Sequence, residues 1–270
     1  MIESEDIEQL LENIARRYGY DFTGYARASL KRRIDAFFSK GKFLSFADMQ
    51  IKLMNDTSYF MFFVEEVTVN VTEMFRDTAF YKTLREQTLP VLATYPFIRI
   101  WHAGCSTGEE VYSMAILLKE ANLLHKSILY ATDLNQAVLE KAKTGIFPMS
   151  AMQQNSENYI NSGGKGDFSS YYHANYNNAK FDTSLAERMI FSTHNLAADA
   201  SFNEFQLILC RNVLIYFNRD LQAKVLQLFD RSLESLGFLA LGSKESLRFS
   251  SIAAHYKQVD NKEKIWRKNR

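Results

Sequence analysis

The chain has 270 residues, enough for one large core or for a principal domain with a smaller companion. Its 32 Lys and Arg nearly balance 31 Asp and Glu, which argues against binding nucleic acid in bulk while leaving room for local basic patches. Two cysteines, Cys105 and Cys210, are too few for a disulfide framework or an all-cysteine metal site, and a reduced cytoplasmic setting is the simplest reading.

The opening stretch, MIESEDIEQLLENIARRYGY, carries acidic residues early and lacks the apolar centre of a signal peptide, so secretion is not expected. Residues 1 to about 68 are predicted to be mostly helical. Ile7, Leu10, Leu11 and Ile14 recur at helical spacing, and Leu30, Ile34, Phe37 and Phe38 repeat the pattern. The apolar run Tyr59 to Val64 is far shorter than the roughly 20 residues a helix needs to cross a bilayer, and reads as core. On the second helix Arg27 and Lys31 share a face at i, i+4, with Arg32 and Arg33 beside them. Charge alone allows either a solvated face or a docking surface for an acidic partner.

Asn70 to Asp77, NVTEMFRD, joins the two halves of the chain. Arg76 and Asp77 can pair with surface neighbours, worth about 0 to 1 kcal/mol, or Arg76 can orient a carboxylate substrate through its planar fork. Beyond Thr72, apolar runs at 98–101, 128–131, 189–191, 205–210 and 238–241 alternate with helical patterns, the rhythm of a doubly wound, mostly parallel sheet. Pro148 to about Leu185 interrupts it with a stretch rich in Asn, Ser, Gly and Tyr, read as a helix followed by a small tyrosine-bearing excursion.

Ile98 to Ser113, IRIWHAGCSTGEEVYS, is an apolar strand entering a Gly/Ser/Thr turn that opens a helix. Gly104 and Gly108 let a ligand approach the main chain. The GxGxxG spacing of a dinucleotide site is missing, and Glu109 and Glu110 in the first helical turn would repel a phosphate. The corner suits a ligand with hydroxyls and a cationic group. It also matches GxSxG at residues 104–108, the pattern of a nucleophile elbow with Ser106 as nucleophile; Asp199 and His255 follow in the right order, but no HGGG-type oxyanion loop occurs.

Ile128 to Asp133 is a second strand ending in an acid, placed either to hold vicinal ribose hydroxyls or to cap the helix from about Asn135 to Lys143. Asn195 and Asn212 each offer an amide donor and acceptor after a strand, or are turn formers. The five histidines show no HxxxH or HExxH spacing and no GxxxxGK[ST] loop occurs, so no metal site and no P-loop are expected.

In order along the chain, YARASLKRRI, NVTEMFRD, AGCSTGEEVYS, YATDLNQAVLEKAKTGIFP, HNLAAD and LILCRNVLIYFNRDLQ resemble the chemoreceptor glutamate methyltransferases of the CheR family. The resemblance implies an α/β fold: a Rossmann-like S-adenosylmethionine methyltransferase sheet with an N-terminal all-helical domain and a small antiparallel inserted subdomain. It implies a helical substrate-docking domain at 1–68, a linker at 69–80 that contributes to the active site, and a methyltransferase domain at 81–270 whose insert covers about 155–187.

The same resemblance places Asn70, Thr72 and Arg76 at the methionine end of the cofactor and Ala103 and Glu110 in its pocket. Asp133 would hold the ribose, Asn195 and Leu196 the adenosine, and Arg211 and Asn212 the crevice wall. Arg76 and Tyr216 are the implied catalytic pair, and Arg27, Lys31, Arg32 and Arg33 the surface that meets acidic receptor helices. The implied reaction converts S-adenosylmethionine to S-adenosylhomocysteine and a glutamate to its methyl ester, in chemotaxis adaptation. The expected enzyme is a cytoplasmic monomer recruited to membrane receptor arrays, without nucleic acid or membrane insertion, and a receptor C-terminal peptide can be captured by the insert through strand addition. Methylation of another carboxyl acceptor, or a catalytically idle cofactor-sensing module, are the alternatives.

Overall fold

The structure is a computed structural model that describes residues 2–68, 72–260 and 262–269. Four helices come first: α1 (Ser4–Tyr18), α2 (Arg27–Gly41), α3 (Phe46–Asn55) and α4 (Thr57–Val67). Their ends follow local chemistry. Gly19 takes the left-handed conformation that closes α1, and its N–H returns to the Ala15 carbonyl. Ser45 and Asp56 cap α3 and α4 by accepting from the Asp48 and Tyr59 N–H groups. The apolar faces meet in a core of their own, with Leu10, Leu11, Ile14, Ile34, Phe60 and Phe63 fully buried.

The junction leads into α5 (Thr78–Thr83), a π-helical turn (Leu84–Thr88) and α6 (Leu89–Leu92). Thereafter strands and helices alternate: β1 (Ile98–Ala103), α7 (Glu109–Glu120), β2 (Ser127–Asp133), α8 (Gln136–Thr144), then β6 (Met189–Thr193) after the excursion, β7 (Phe205–Cys210), α11 (Arg219–Ser232) and β8 (Leu233–Leu241). The excursion holds β3 (Ile146–Pro148), α9 (Met152–Asn161), β4 (Tyr172–Asn175), β5 (Asn178–Phe181) and α10 (Thr183–Ala186). The chain closes with β9 (Tyr256–Gln258) and β10 (Ile265–Lys268).

Among the described residues one sheet runs β6-β2-β1-β7-β8-β10-β9, with β10 antiparallel to both its neighbours and the remaining pairs parallel. The central strand β7 is buried at every position, the continuous apolar run that a parallel strand covered on both faces requires. From β1 the chain winds outward through β2 to β6, and from β7 it winds the other way through β8. The switch point therefore falls between β1 and β7, where the carboxyl ends of the strands open a crevice.

A second sheet, β3-β5-β4, is antiparallel and takes in Ile146–Pro148 as well as strands inside 155–187. This is the small antiparallel insert that the resemblance implies, reaching back to Ile146–Pro148: β5 alternates exposed Asn178 and Lys180 with buried Ala179 and Phe181, whereas β4 is mostly solvent-exposed and shows no such pattern. β8 likewise begins at Leu233, directly after α11, ahead of the expected 238–241.

Candidate active site

At the end of β1 the main chain turns through Gly104, Cys105 and Ser106, with left-handed φ angles of 82° at Gly104 and 50° at Ser106. A Cβ on Gly104 would lie 2.5 Å from Val213 Cγ2, so only glycine lets this turn meet the loop after β7. Asp133, at the end of β2, ties the corner together. One carboxylate oxygen accepts from the Ser106 N–H (2.9 Å) and the other from the Asn135 N–H (3.0 Å). The helix cap itself is Asn135, which accepts from Ala137 N–H. Burial raises the Asp133 pKa and the backbone hydrogen bonds pull it partly back.

Ser106 Oγ is buried and has no hydrogen-bond partner among the described residues. His255, the base an elbow would need, pairs with Asp230, and Asp199 accepts from the Asn195 N–H. Among the described residues Ser106 meets no base, so the hydrolase reading of GxSxG falls.

A buried ionic chain lies beneath the corner. Glu110 receives His102 Nδ1 at 2.9 Å and Arg211 Nη1 at 3.2 Å. Arg211 Nη2 donates to Asp77 Oδ2 (2.6 Å) and to the Arg76 carbonyl (3.0 Å), and its guanidinium lies 4.0 Å from the Phe80 ring centroid. Burial alone would raise the Glu110 pKa; the His102 hydrogen bond and the Arg211 charge outweigh it and hold the carboxyl low. For Arg211 burial works toward a lower value, and Glu110 foremost, with Tyr81 and Asp77, lifts it above the ordinary one. Arg211 therefore clamps α7, β7 and the junction to one another. Glu109 has a separate role, accepting from Thr107 Oγ1 at 2.6 Å.

The junction is strapped down from α7 and α9. Met74 N–H donates to Asn155, the Met74 carbonyl accepts from Asn158, and Phe75 N–H donates to Ser113. Phe75 and Asp77 both stand at positive φ, 53° and 60°. These bonds hold Thr72 and Arg76 at the crevice.

The loop after β7 closes the other side. Asn212 is left-handed at φ 60° and Tyr216 ends a 3-10 turn. The N-terminal unit reaches this loop: Ala26 N–H donates to the Tyr216 carbonyl, Asn218 N–H donates to the Gly24 carbonyl, both at 2.8 Å, and Tyr25 bridges Phe217 between them.

One crevice thus gathers Thr72, Arg76, Glu110 and Asp133 with Asn195, Leu196, Arg211, Asn212 and Tyr216. Asn195 also serves as a turn former, since its side-chain oxygen accepts from the Ala197 N–H. Asn70 lies outside the described residues. Ala103 is placed differently from the expectation: it is 2 % exposed and packed in the apolar cluster of Trp101 and Leu239, below the crevice.

Arg33 is a correction as well. Instead of joining a solvent-facing surface it lines the crevice, with Nε on the Ser29 carbonyl, Nη2 on Ser29 Oγ, Nη1 on the Val67 carbonyl, and its guanidinium over the Tyr216 ring. Arg27 pairs with Glu8 and Lys31 donates to the Ile2 carbonyl, while Arg32 is exposed. The lining also takes in Tyr25, Leu134 and Ile215, which the sequence did not single out, and His194, which follows a strand as Asn195 does. Leu134 and His194 each directly follow a strand end, a signal that was present; Tyr25 carried none, because its contact depends on how the helices dock. Burial, and then the Asp133 charge, push the Tyr25 phenol pKa up.

An alternating sheet with an antiparallel β10, an acid ending β2 and a crevice at the switch point define the class of S-adenosylmethionine-dependent methyltransferases. The CheR methyltransferase SAM binding domain matches residues 70–265 and the CheR methyltransferase all-alpha domain matches residues 5–68, and the chain belongs to the CheR family. It is 46 % identical over 264 residues to Cher3 of Pseudomonas putida, covering 98 % of this chain and 97 % of that one. It is 33 % identical over 239 residues to a chemotaxis protein methyltransferase of Listeria innocua, covering 87 % of each. To chemotaxis protein methyltransferase 1 of Pseudomonas aeruginosa it is 30 % identical over 211 residues, covering 73 % of this chain and 72 % of that one. Among the described residues no helix is long and apolar enough to cross a membrane.

Proposed function

We propose that the chain methylates glutamate side chains in acidic cytoplasmic helices of chemoreceptors, giving methyl esters. The observation that carries this reading is the lining of a single crevice. Acidic Asp133 and Glu110 share it with Arg76 and Tyr216, so one cavity offers anions for a sulfonium cofactor and a cation for a carboxylate acceptor. Arg211, with both Nη atoms engaged, belongs to the framework.

The residues fit the cofactor. Each Asp133 oxygen spends one acceptor position on a backbone N–H and keeps another for a ribose hydroxyl, and the unpartnered Ser106 Oγ lies in the same lining. Asn195, Leu196 and Asn212 would border the adenosine, and Thr72 and Glu110 the methionine end. When bound, S-adenosylmethionine supplies a methyl group that an ionised carboxylate takes in line, the C–O bond forming as the C–S electron pair returns to sulfur. Arg76 would hold that carboxylate and Tyr216 would orient it by hydrogen bonding. Neither has a proton to remove, because the nucleophile is already ionised. Placement is the main resource, and well-oriented reactants can gain roughly 7 to 11 kcal/mol from it.

The outer edge of β4 ends the small sheet, and this supports capture of a receptor peptide as an added strand. The test of the main reading uses labelled S-adenosylmethionine and receptor cytoplasmic domains from the host. Label that mild base releases, mapped to glutamates, is the expected result; base-resistant label overturns the ester assignment.

A further inference from the structure

The segment from Asn212 to Tyr216 makes part of the crevice wall, yet much of its backbone hydrogen bonding goes to one side chain. Glu245 Oε2 accepts from the N–H groups of Asn212 (3.1 Å) and Gly242 (2.5 Å), and Oε1 accepts from those of Val213 (2.9 Å) and Ile215 (3.3 Å). The Glu245 residue is 5 % exposed. Four backbone donors on one buried carboxylate are charge-assisted bonds, shielded from water and stronger than neutral ones.

The surroundings are shaped for this carboxylate. A Cβ on Gly242 would stand 2.7 Å from the Asn212 nitrogen and 2.8 Å from Glu245 Oε2, so a larger residue would wedge the two apart. Asn212 holds a left-handed φ of 60°, a conformation that asparagine adopts more readily than most residues and that the bond from its N–H to Glu245 helps to fix. Without the Glu245 acceptors the N–H groups at 212, 213 and 215 lose their partners, just before the turn that presents Tyr216.

We propose that Glu245 is a positioning residue for methyl transfer: its carboxylate fixes the backbone of residues 212–215 and so sets where Tyr216 stands in the crevice. Glu245 is not among the residues that line the crevice; it acts through the loop. The inference rests on the proposed role of Tyr216 in orienting the acceptor. A displacement of about 1 Å at such a group can cost on the order of a hundredfold in rate.

Glu245→Gln tests it, because the amide presents a donor where two backbone donors now find an acceptor. Turnover is measured in this variant, in Tyr216→Phe, and in the double variant, with folding checked by circular dichroism and S-adenosylhomocysteine affinity by calorimetry. The expected result is a loss of kcat of about tenfold or more for Glu245→Gln in the otherwise intact chain, shrinking to under about threefold when Tyr216→Phe is already present. Gly242→Ala, which keeps the carboxylate but displaces it, should reproduce the pattern and serves if Glu245→Gln does not fold. Equal fold losses in both backgrounds overturn the role of Glu245 alone. Full activity in Tyr216→Phe overturns the reading of Tyr216, and the Glu245 proposal with it.

Discussion

The Arg33 guanidinium lies 5.1 Å from the centroid of the Tyr216 ring, so a helix of the N-terminal unit covers the aromatic tip of the loop after β7. A cation over an aromatic face contributes about 0.5 to 2 kcal/mol. Arg33→Gln should therefore lower kcat about 2- to 30-fold while S-adenosylhomocysteine affinity, measured by calorimetry, changes by less than about threefold. A loss confined to the acceptor KM would return Arg33 to a docking role.

Asp133→Ala removes a carboxylate that accepts two backbone N–H bonds and, in the proposed complex, the ribose hydroxyls. Cofactor binding should weaken by about 1 to 3 kcal/mol, read by calorimetry. Unchanged affinity would take Asp133 out of the site.

Arg211→Met should be the most destabilising of these substitutions, because it strips the cation from between two acids. Glu110 and Asp77 would lose their shared partner, the Arg76 carbonyl would lose its donor, and α7 would no longer be tied to the junction. Breaking a buried pair from one side costs about 3 to 5 kcal/mol, although the half-exposed Asp77 end will recover part of this in water. Urea unfolding measures it. A loss below about 1 kcal/mol would show that the network is not holding the fold.

The acid limb of stability should report on Glu110. Its folded-state pKa lies below the ordinary value of 4.5, so its ionised contacts stabilise fully above that pH and are lost as pH falls through the lower folded value. Asp133 works in the opposite sense. Its folded value is raised above 3.8, so its contribution is fullest in stronger acid and is lost as pH rises through the raised value. Melting temperatures recorded from pH 3 to 7, on the order of half a unit apart, should show a flatter acid limb in Glu110→Gln and a flatter rise-side loss in Asp133→Asn. Identical profiles for both variants would contradict the opposite signs.

The core of the sheet was readable in the chain because β7 and β1 are buried almost throughout, and a continuous apolar run announces such a strand. Asp133, Asn195 and Asn212 were readable because they end a strand or stand two residues beyond one, where an α/β sheet opens its crevice. What stayed hidden had no local pattern. β3, β9 and β10 are three or four residues long and gain their identity from antiparallel neighbours. Arg33 reads as one more charge on a basic helix, and only the docking of that helix against residues far along the chain turns it toward Tyr216. Glu245 was equally silent, since a lone glutamate in a Ser/Lys-rich turn does not reveal that four amides point at it.

The Tyr25–Phe217 bridge, flanked by the hydrogen bonds at Ala26 and Asn218, has a consequence for how such enzymes can diversify. A helical unit stitched in this way to the Tyr216 loop is one wall of the reaction vessel, and exchanging it for that of a relative would change the chamber itself. Changes near Tyr25 and Arg33 would then be felt first in the rate.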